Sequence, residues 1–559
     1  MRRAQRSTLR ANEDGSQTCE TVAMTGGGQR FSRRDVVRWG MFGTGTASLA
    51  ALVAACSSDG RGPAAGATAP PRSTATTTTS PGTAPATTLG TSTTAATTTT
   101  ATTTTAATVP PPAIDPSLPW WLQGNFAPVS SEVESTTLAV RGAIPPELTG
   151  TYVRNGSNPM SGPSPHWFFG DGMVHGVRLE RGRATWYRNR AVRTPLLEAG
   201  LGFGDGPPGG ASNQSNVSLV WHGGRLLSSG EVGFPFELSP ADLSTVGPHD
   251  FGGRLTSAFT AHPKIDPVTG RMHSFGYGFV PPYLTYHVTE ADGTMIHTEP
   301  IELPNSTMIH DFAITATDAV FWDLPVVFDL DAAIRYLDDP SAGGFPFRWD
   351  PDVGARIGVM PLEGGASALR WYEIEPCYAF HGVNAFRRGD EVVIDVCRLS
   401  RMFAEGDLFG GEASLRRWTV DTAAGTVADE VITDVDSGDL PTRDPRVVGR
   451  EHRYGYLVST RDLPGTVDLG GLIKQDLRSG TREVWDPGPG GHSGEWLFVP
   501  GGDDPAEDAG WLFGFVHDDP TGRTDFAIVD ATDVAAGPVA RVELPQRVPF
   551  GFHATWIPG

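Results

Sequence analysis

The sequence predicts an all-β body, arranged as a propeller. From Trp120 onward, short β-rich runs alternate with turns rich in Gly, Pro, Asp and Asn. Turn signals recur every few to a dozen residues, and amphipathic helices are scarce, with Asp331–Leu337 read as a short one. A body of about 440 residues is too large for one sandwich, whereas blades add radially and leave few long edges. The expected strands include Thr151–Arg154, Val174–Leu179, Val217–Trp221, Leu226–Ser229, Glu391–Cys397 and Phe526–Val529. No clean repeat is visible, so periodicity does not give a blade count.

The first 56 residues read as an export address. Arg33-Arg34 precedes an uncharged stretch from Trp39 to Cys56, the layout of a twin-arginine (Tat) signal. That stretch is too weakly apolar for a spanning helix. It ends in Val53-Ala54-Ala55-Cys56, which resembles a bacterial lipobox, so Cys56 is the expected lipidation site. The segment before Met24 is unlike a signal, leaving Met1 and Met24 as alternative starts. Residues 57–113 are Thr, Ala, Pro and Ser with almost no large apolar side chains. Such a segment cannot bury enough surface to offset its ordering entropy, and reads as a disordered tether. The expected organisation is therefore signal 1–56, tether 57–113 and propeller 114–559. The expected location is the cell surface, with the membrane as partner through the lipid anchor.

The chain carries a formal charge of −21. Residues 1–55 are net +4, so the remainder carries −25. So acidic a body repels phosphate backbones, and nucleic acid is not an expected partner. The four Cys are too few for a disulfide framework and show no CxxC spacing. Cys377 and Cys397 flank a hairpin; two buried free thiols are expected, a bridge being the alternative.

Four of the fourteen His share a setting of mostly apolar or small neighbours: His262, His310, His381 and His553. They are 48, 71 and 172 residues apart, so no local metal motif exists. They can converge only if separate elements aim at one centre, as the inner strands of a propeller do. Four imidazoles suit Fe(II), Zn(II), Cu(II) or Ni(II). An octahedral ion held by them keeps two open sites, enough for O2 and a water or substrate.

Ordered blocks along the body carry a resemblance. They are Gly124–Val129, Gly150–Gly156, His166-Trp167-Phe168 with Gly170–Met173, His222–Leu226, Ala261–Asp266, Trp322–Pro325, Phe380-His381 with Asn384-Ala385, and Arg547–His553. In this order they resemble the carotenoid cleavage oxygenases, including the bacterial lignostilbene dioxygenase branch. The resemblance implies a seven-bladed β-propeller with a dome of loops over an axial Fe2+. Its four ligands fall on His262, His310, His381 and His553, the set the residues themselves single out.

The resemblance further implies three glutamates, each paired with a ligand. Glu231 and Glu495 match two of them. Asp439 stands where the pattern has Glu, one methylene shorter, so its bond to imidazole is lost, bridged by water or recovered by a backbone shift. His166 and His175 read as packing around the Gly170-Asp171-Gly172 turn. The implied reaction is cleavage of a conjugated double bond by O2 to two carbonyls, the substrate being an apolar polyene or stilbene. The alternatives are an isomerohydrolase on the same iron, a propeller that only binds a ligand, and a Ca2+ or Zn2+ hydrolase with carboxylate ligands.

Overall fold

The computed structural model describes residues 10–11, 17–18 and 115–559, except 116, 162–163, 203–209, 339–344, 364, 405–410, 435–437 and 464–465. Apart from Arg10–Ala11 pairing with Gln17–Thr18, the signal with Cys56 and the tether 57–113 lie outside the described residues.

Seven antiparallel sheets follow one another along the body. The first blade holds Gly150–Arg154, Met173–Glu180 and Arg183–Ala191; the second runs from Ser218–His222 to Thr245–Pro248. The third runs from Lys264–Ile265 to Met295–Glu302, and the fourth from Phe312–Ile314 to Arg370–Ile374. The fifth spans Tyr378–Arg388 to Thr426–Thr433, the sixth Gly438–Thr442 to Arg482–Trp485, and the seventh Gly491–Ser493 to Pro538–Glu543. All six strands expected from sequence form, within one to three residues of their expected ends. The expected helix is Leu330–Asp338, inserted in the fourth blade.

Segments from both ends of the body close the ring. The C-terminal strand Ala554–Pro558 pairs with Gly150–Arg154 in the first blade, and Val140–Gly142 pairs with Pro538–Glu543 on the seventh. The circle is thus joined by hydrogen bonds between segments about 400 residues apart.

Local sequence explains the tight connections. Gly223 and Gly224 close the hairpin between Ser218–His222 and Arg225–Ser229 at φ 56° and 73°. A two-residue turn with both φ positive matches strand twist and favours glycine. A Cβ on Gly223 would also stand 2.6 Å from the backbone of Gly293.

Between blades, large apolar side chains interdigitate. Phe275 of the third blade packs on Phe312 of the fourth with ring centroids 5.1 Å apart, and Tyr152 of the first on Phe526 of the seventh at 5.1 Å. All four are fully buried. Burying one such side chain contributes about 1.5–3 kcal/mol, so blade contacts fix the inner strands that face the axis. Cys377 and Cys397 are buried free thiols, as expected, and no bridge joins them.

Candidate metal centre

The four imidazoles come from four blades. His262 lies two residues before Lys264–Ile265, His310 two before Phe312–Ile314, and His553 one before Ala554–Pro558. His381 lies inside Tyr378–Arg388, where the ladder to Glu391–Leu399 shifts register around Gly382. All four are buried, and one ring nitrogen of each lies within 4.8 Å of the others. His262 Nε2 is 3.0 Å from His310 Nε2, which is 3.2 Å from His381 Nε2.

The remaining three blades supply carboxylates. Glu231 follows Arg225–Ser229 of the second blade and pairs with His310 Nδ1. Asp439 lies in Gly438–Thr442 of the sixth, 2.8 Å from His381 Nδ1. Glu495, between Gly491–Ser493 and Leu497–Pro500 of the seventh, has Oε1 2.7 Å from His553 Nδ1. Its Oε2 accepts the Ala554 N–H at 2.7 Å. Each blade therefore contributes one group, and all seven site residues read from sequence converge. Among the described residues no carboxylate pairs with His262; Thr260 Oγ1 anchors its backbone N–H at 2.9 Å.

Asp439 keeps a direct bond despite its shorter side chain. The local backbone is irregular: the ladder to Tyr454–Leu463 shifts register after Asp439, and Leu440 takes φ 51°. A left-handed leucine is strained, and Asp439 Oδ1 offsets this by accepting the Leu440 N–H at 2.8 Å. Of the three outcomes open for this substitution, loss and a water bridge are not what is seen: the bond is direct.

Charge distribution sets the protonation. Burial, then the neighbouring imidazoles, hold His262 well below the ordinary imidazole range. His381 is also lowered, burial outweighing Asp439. His310 is raised, because the Glu231 carboxylate overcomes burial. Glu231 and Asp439 resist burial through their imidazole partners and stay below the usual carboxylate range.

This donor set fits a metal. An Nδ1–H donated to a carboxylate leaves Nε2 with a lone pair. His310 and His381 then face Nε2 to Nε2 at 3.2 Å, and two lone pairs at that distance repel unless a cation lies between them. Four neutral imidazoles leave room for a divalent ion of borderline softness, iron among them.

Two features escaped sequence reasoning. Tyr277 donates its hydroxyl to Glu231 Oε2 at 2.5 Å, and no local pattern marks it. Phenyl rings border the centre: Phe380 lies 5.1 Å from the His310 ring, with Phe168, Phe403 and Phe345 beyond it. Phe168, Phe345 and Phe403 belong to connections outside the blades, as a dome of loops requires. A cavity of about 320 Å³ lies beside the Glu231 turn, lined by Val232, Phe234, Tyr277, Phe279 and Tyr283 among others. His175, by contrast, is packing: it is buried with Nδ1 3.0 Å from the Tyr187 hydroxyl.

A seven-bladed propeller with buried axial imidazoles braced by carboxylates is the frame of a non-haem iron enzyme. A family model described as "Retinal pigment epithelial membrane protein" matches residues 126–558. A "Carotenoid cleavage oxygenase" of Mycobacterium tuberculosis (strain ATCC 25618 / H37Rv) is 38% identical over 494 residues, covering 78% of this chain and 97% of its own. The Crocus sativus "Carotenoid 9,10(9',10')-cleavage dioxygenase" is 36% identical over 498 residues, covering 78% and 89%. Among solved structures, Pseudomonas brassicacearum lignostilbene dioxygenase superposes with a TM-score of 0.73 at 27% identity, covering 80% of this chain and 100% of its own. Cobalt-substituted Synechocystis ACO superposes with a TM-score of 0.69 at 28% identity, covering 78% and 98%. The chain belongs to the carotenoid cleavage oxygenase family and is a non-haem iron cleavage dioxygenase.

Proposed function

We propose that this chain uses Fe2+ and O2 to cleave a conjugated carbon–carbon double bond of a carotenoid, apocarotenoid or stilbene, giving two carbonyl products. His262, His310, His381 and His553 hold the iron in this reading. Glu231, Asp439 and Glu495 fix the ring orientation of His310, His381 and His553. The observation that carries the reading is the convergence of four buried ring nitrogens within 4.8 Å. Bound there, iron supplies the electrons and open positions that bring O2 to bear on an otherwise unreactive double bond.

The protein's own part is placement and exclusion of water. The aromatic wall of Phe168, Phe345, Phe380 and Phe403 suits an extended, flat, apolar substrate, and rings stack on such surfaces with centroids roughly 4.5–7 Å apart. A site closed by apolar side chains keeps bulk water from the reacting carbons and holds the double bond near the centre. Incubating iron-loaded protein with a stilbene and with an apocarotenal under O2 should yield aldehydes, each with one oxygen atom gained from O2, detectable by mass. If neither substrate gives a cleaved carbonyl product with iron bound, the proposal fails.

We further propose that the chain is exported by the Tat route and anchored through lipid on Cys56, with residues 57–113 as tether. The Arg33-Arg34 pair, the uncharged stretch and the lipobox-like Val53–Cys56 support this reading. In cells fed an alkyne fatty acid, the wild-type chain should carry label and sediment with membranes. Cys56→Ser should lose both properties; label retained by that variant would place any lipid elsewhere.

A further inference from the structure

We infer that Asp311 and Lys264 form a positioning unit that sets the mutual spacing of three of the four imidazoles from behind the centre. The inference rests on the ligand set proposed above. Asp311 directly follows His310, Gly382 directly follows His381, and Lys264 lies two residues after His262. One carboxylate ties all three places together. Its Oδ1 accepts from Lys264 Nζ at 2.6 Å and from the Phe312 N–H at 2.8 Å. Its Oδ2 accepts the Gly382 N–H at 2.9 Å.

These bonds run across blades, from the third to the fourth and from the fourth to the fifth. Strand ladders bond only within a blade, so they do not fix how far one inner strand stands from the next. Asp311 and Lys264 do, at the level of the ligands. Both side chains are nearly inaccessible, at 2% and 11% exposure. Arg443, from the sixth blade's connection, adds a second positive charge near Asp311.

No oxygen of Asp311 bonds an imidazole, which separates it from Glu231, Asp439 and Glu495. A buried ion pair adds little net stability once its desolvation is counted. Its use here is geometric. Ligand constellations function only when held within roughly 0.5 Å of the productive arrangement. A carboxylate that spans three ligand-bearing segments meets that need with one side chain.

The test uses the full-length chain loaded with Co2+, whose visible absorption reports coordination geometry. The variants are Asp311→Asn, Lys264→Met, and the two combined, which removes both charges of the ion pair if a single change prevents folding. Co2+ affinity, from competition with a chelator, should fall about 10–100-fold, the scale of losing an outer partner at a metal site. The visible bands should shift in every folded variant, including the combined one with a thermal midpoint near wild type. Wild-type affinity and bands in any folded variant, even one of lowered thermal stability, would overturn the inference and reduce the pair to a structural contact. His262→Ala serves as control: if it binds Co2+ as wild type does, the ligand set itself is wrong.

Discussion

His262→Ala should empty the metal centre while leaving the propeller folded. The expected result is protein that purifies without iron, has no cleavage activity and keeps the wild-type circular dichroism spectrum. Among the four imidazoles, His262 is the one to remove, for a structural reason. His310, His381 and His553 each hold a buried carboxylate, and truncating any of them orphans that charge. An orphaned buried charge costs folding stability in its own right and confuses the reading of metal loss. His262 has no such partner among the described residues. Its loss removes a quarter of the donor set and strands nothing. The fall in iron affinity should exceed the roughly 10–100-fold typical of an outer-partner loss. Iron content by plasma emission, a chelator titration and O2 uptake with substrate measure it. Full iron occupancy in His262→Ala would show that the ion is held elsewhere.

The fold class was legible because strand and turn chemistry is local. Thr151–Arg154 or Leu226–Ser229 announces itself within a few residues. The blade count was not legible, and particular residues show why. The first blade is assembled from Gly150–Arg154 and the distant Ala554–Pro558, and the seventh carries Val140–Gly142 on its outer edge. The fourth is interrupted by the helix Leu330–Asp338. Blades built in these ways leave no constant period.

The imidazoles were visible as a set only through shared apolar surroundings, and through resemblance once ordered blocks were compared. The Asp439 pairing comes with a φ of 51° at Leu440, and leucine gives no hint of that conformation. Tyr277, Lys264 and Asp311 act across blades. Their partners are fixed by the closed ring rather than by spacing in the chain, although Lys264 sits in one of the blocks that carry the resemblance.

Glu495→Gln should weaken iron binding about 10–100-fold and lower turnover on the same scale, with the fold intact. The wild-type carboxylate accepts two hydrogen bonds, one from His553 Nδ1–H and one from the Ala554 N–H. An amide has one oxygen and one NH2, so one of those donors must face another donor. Leaving a buried donor unpaired costs about 1–3 kcal/mol. The lost charge also makes the His553 imidazole a poorer donor to the metal.

Glu495→Asp should fail in a different way, and the sixth blade shows why. Asp439 bonds His381 at 2.8 Å with a left-handed Leu440 directly after it. Glu495 also sits at a one-residue register shift, between Ser493 opposite Val516 and Leu497 opposite Phe513, but no neighbour of it takes a left-handed backbone. A one-methylene truncation there leaves a gap that the backbone does not close. Affinity in Glu495→Asp should therefore fall toward that of Glu495→Gln, even though the charge is retained. If Glu495→Asp binds iron as tightly as wild type, side-chain length is not what sets the pairing.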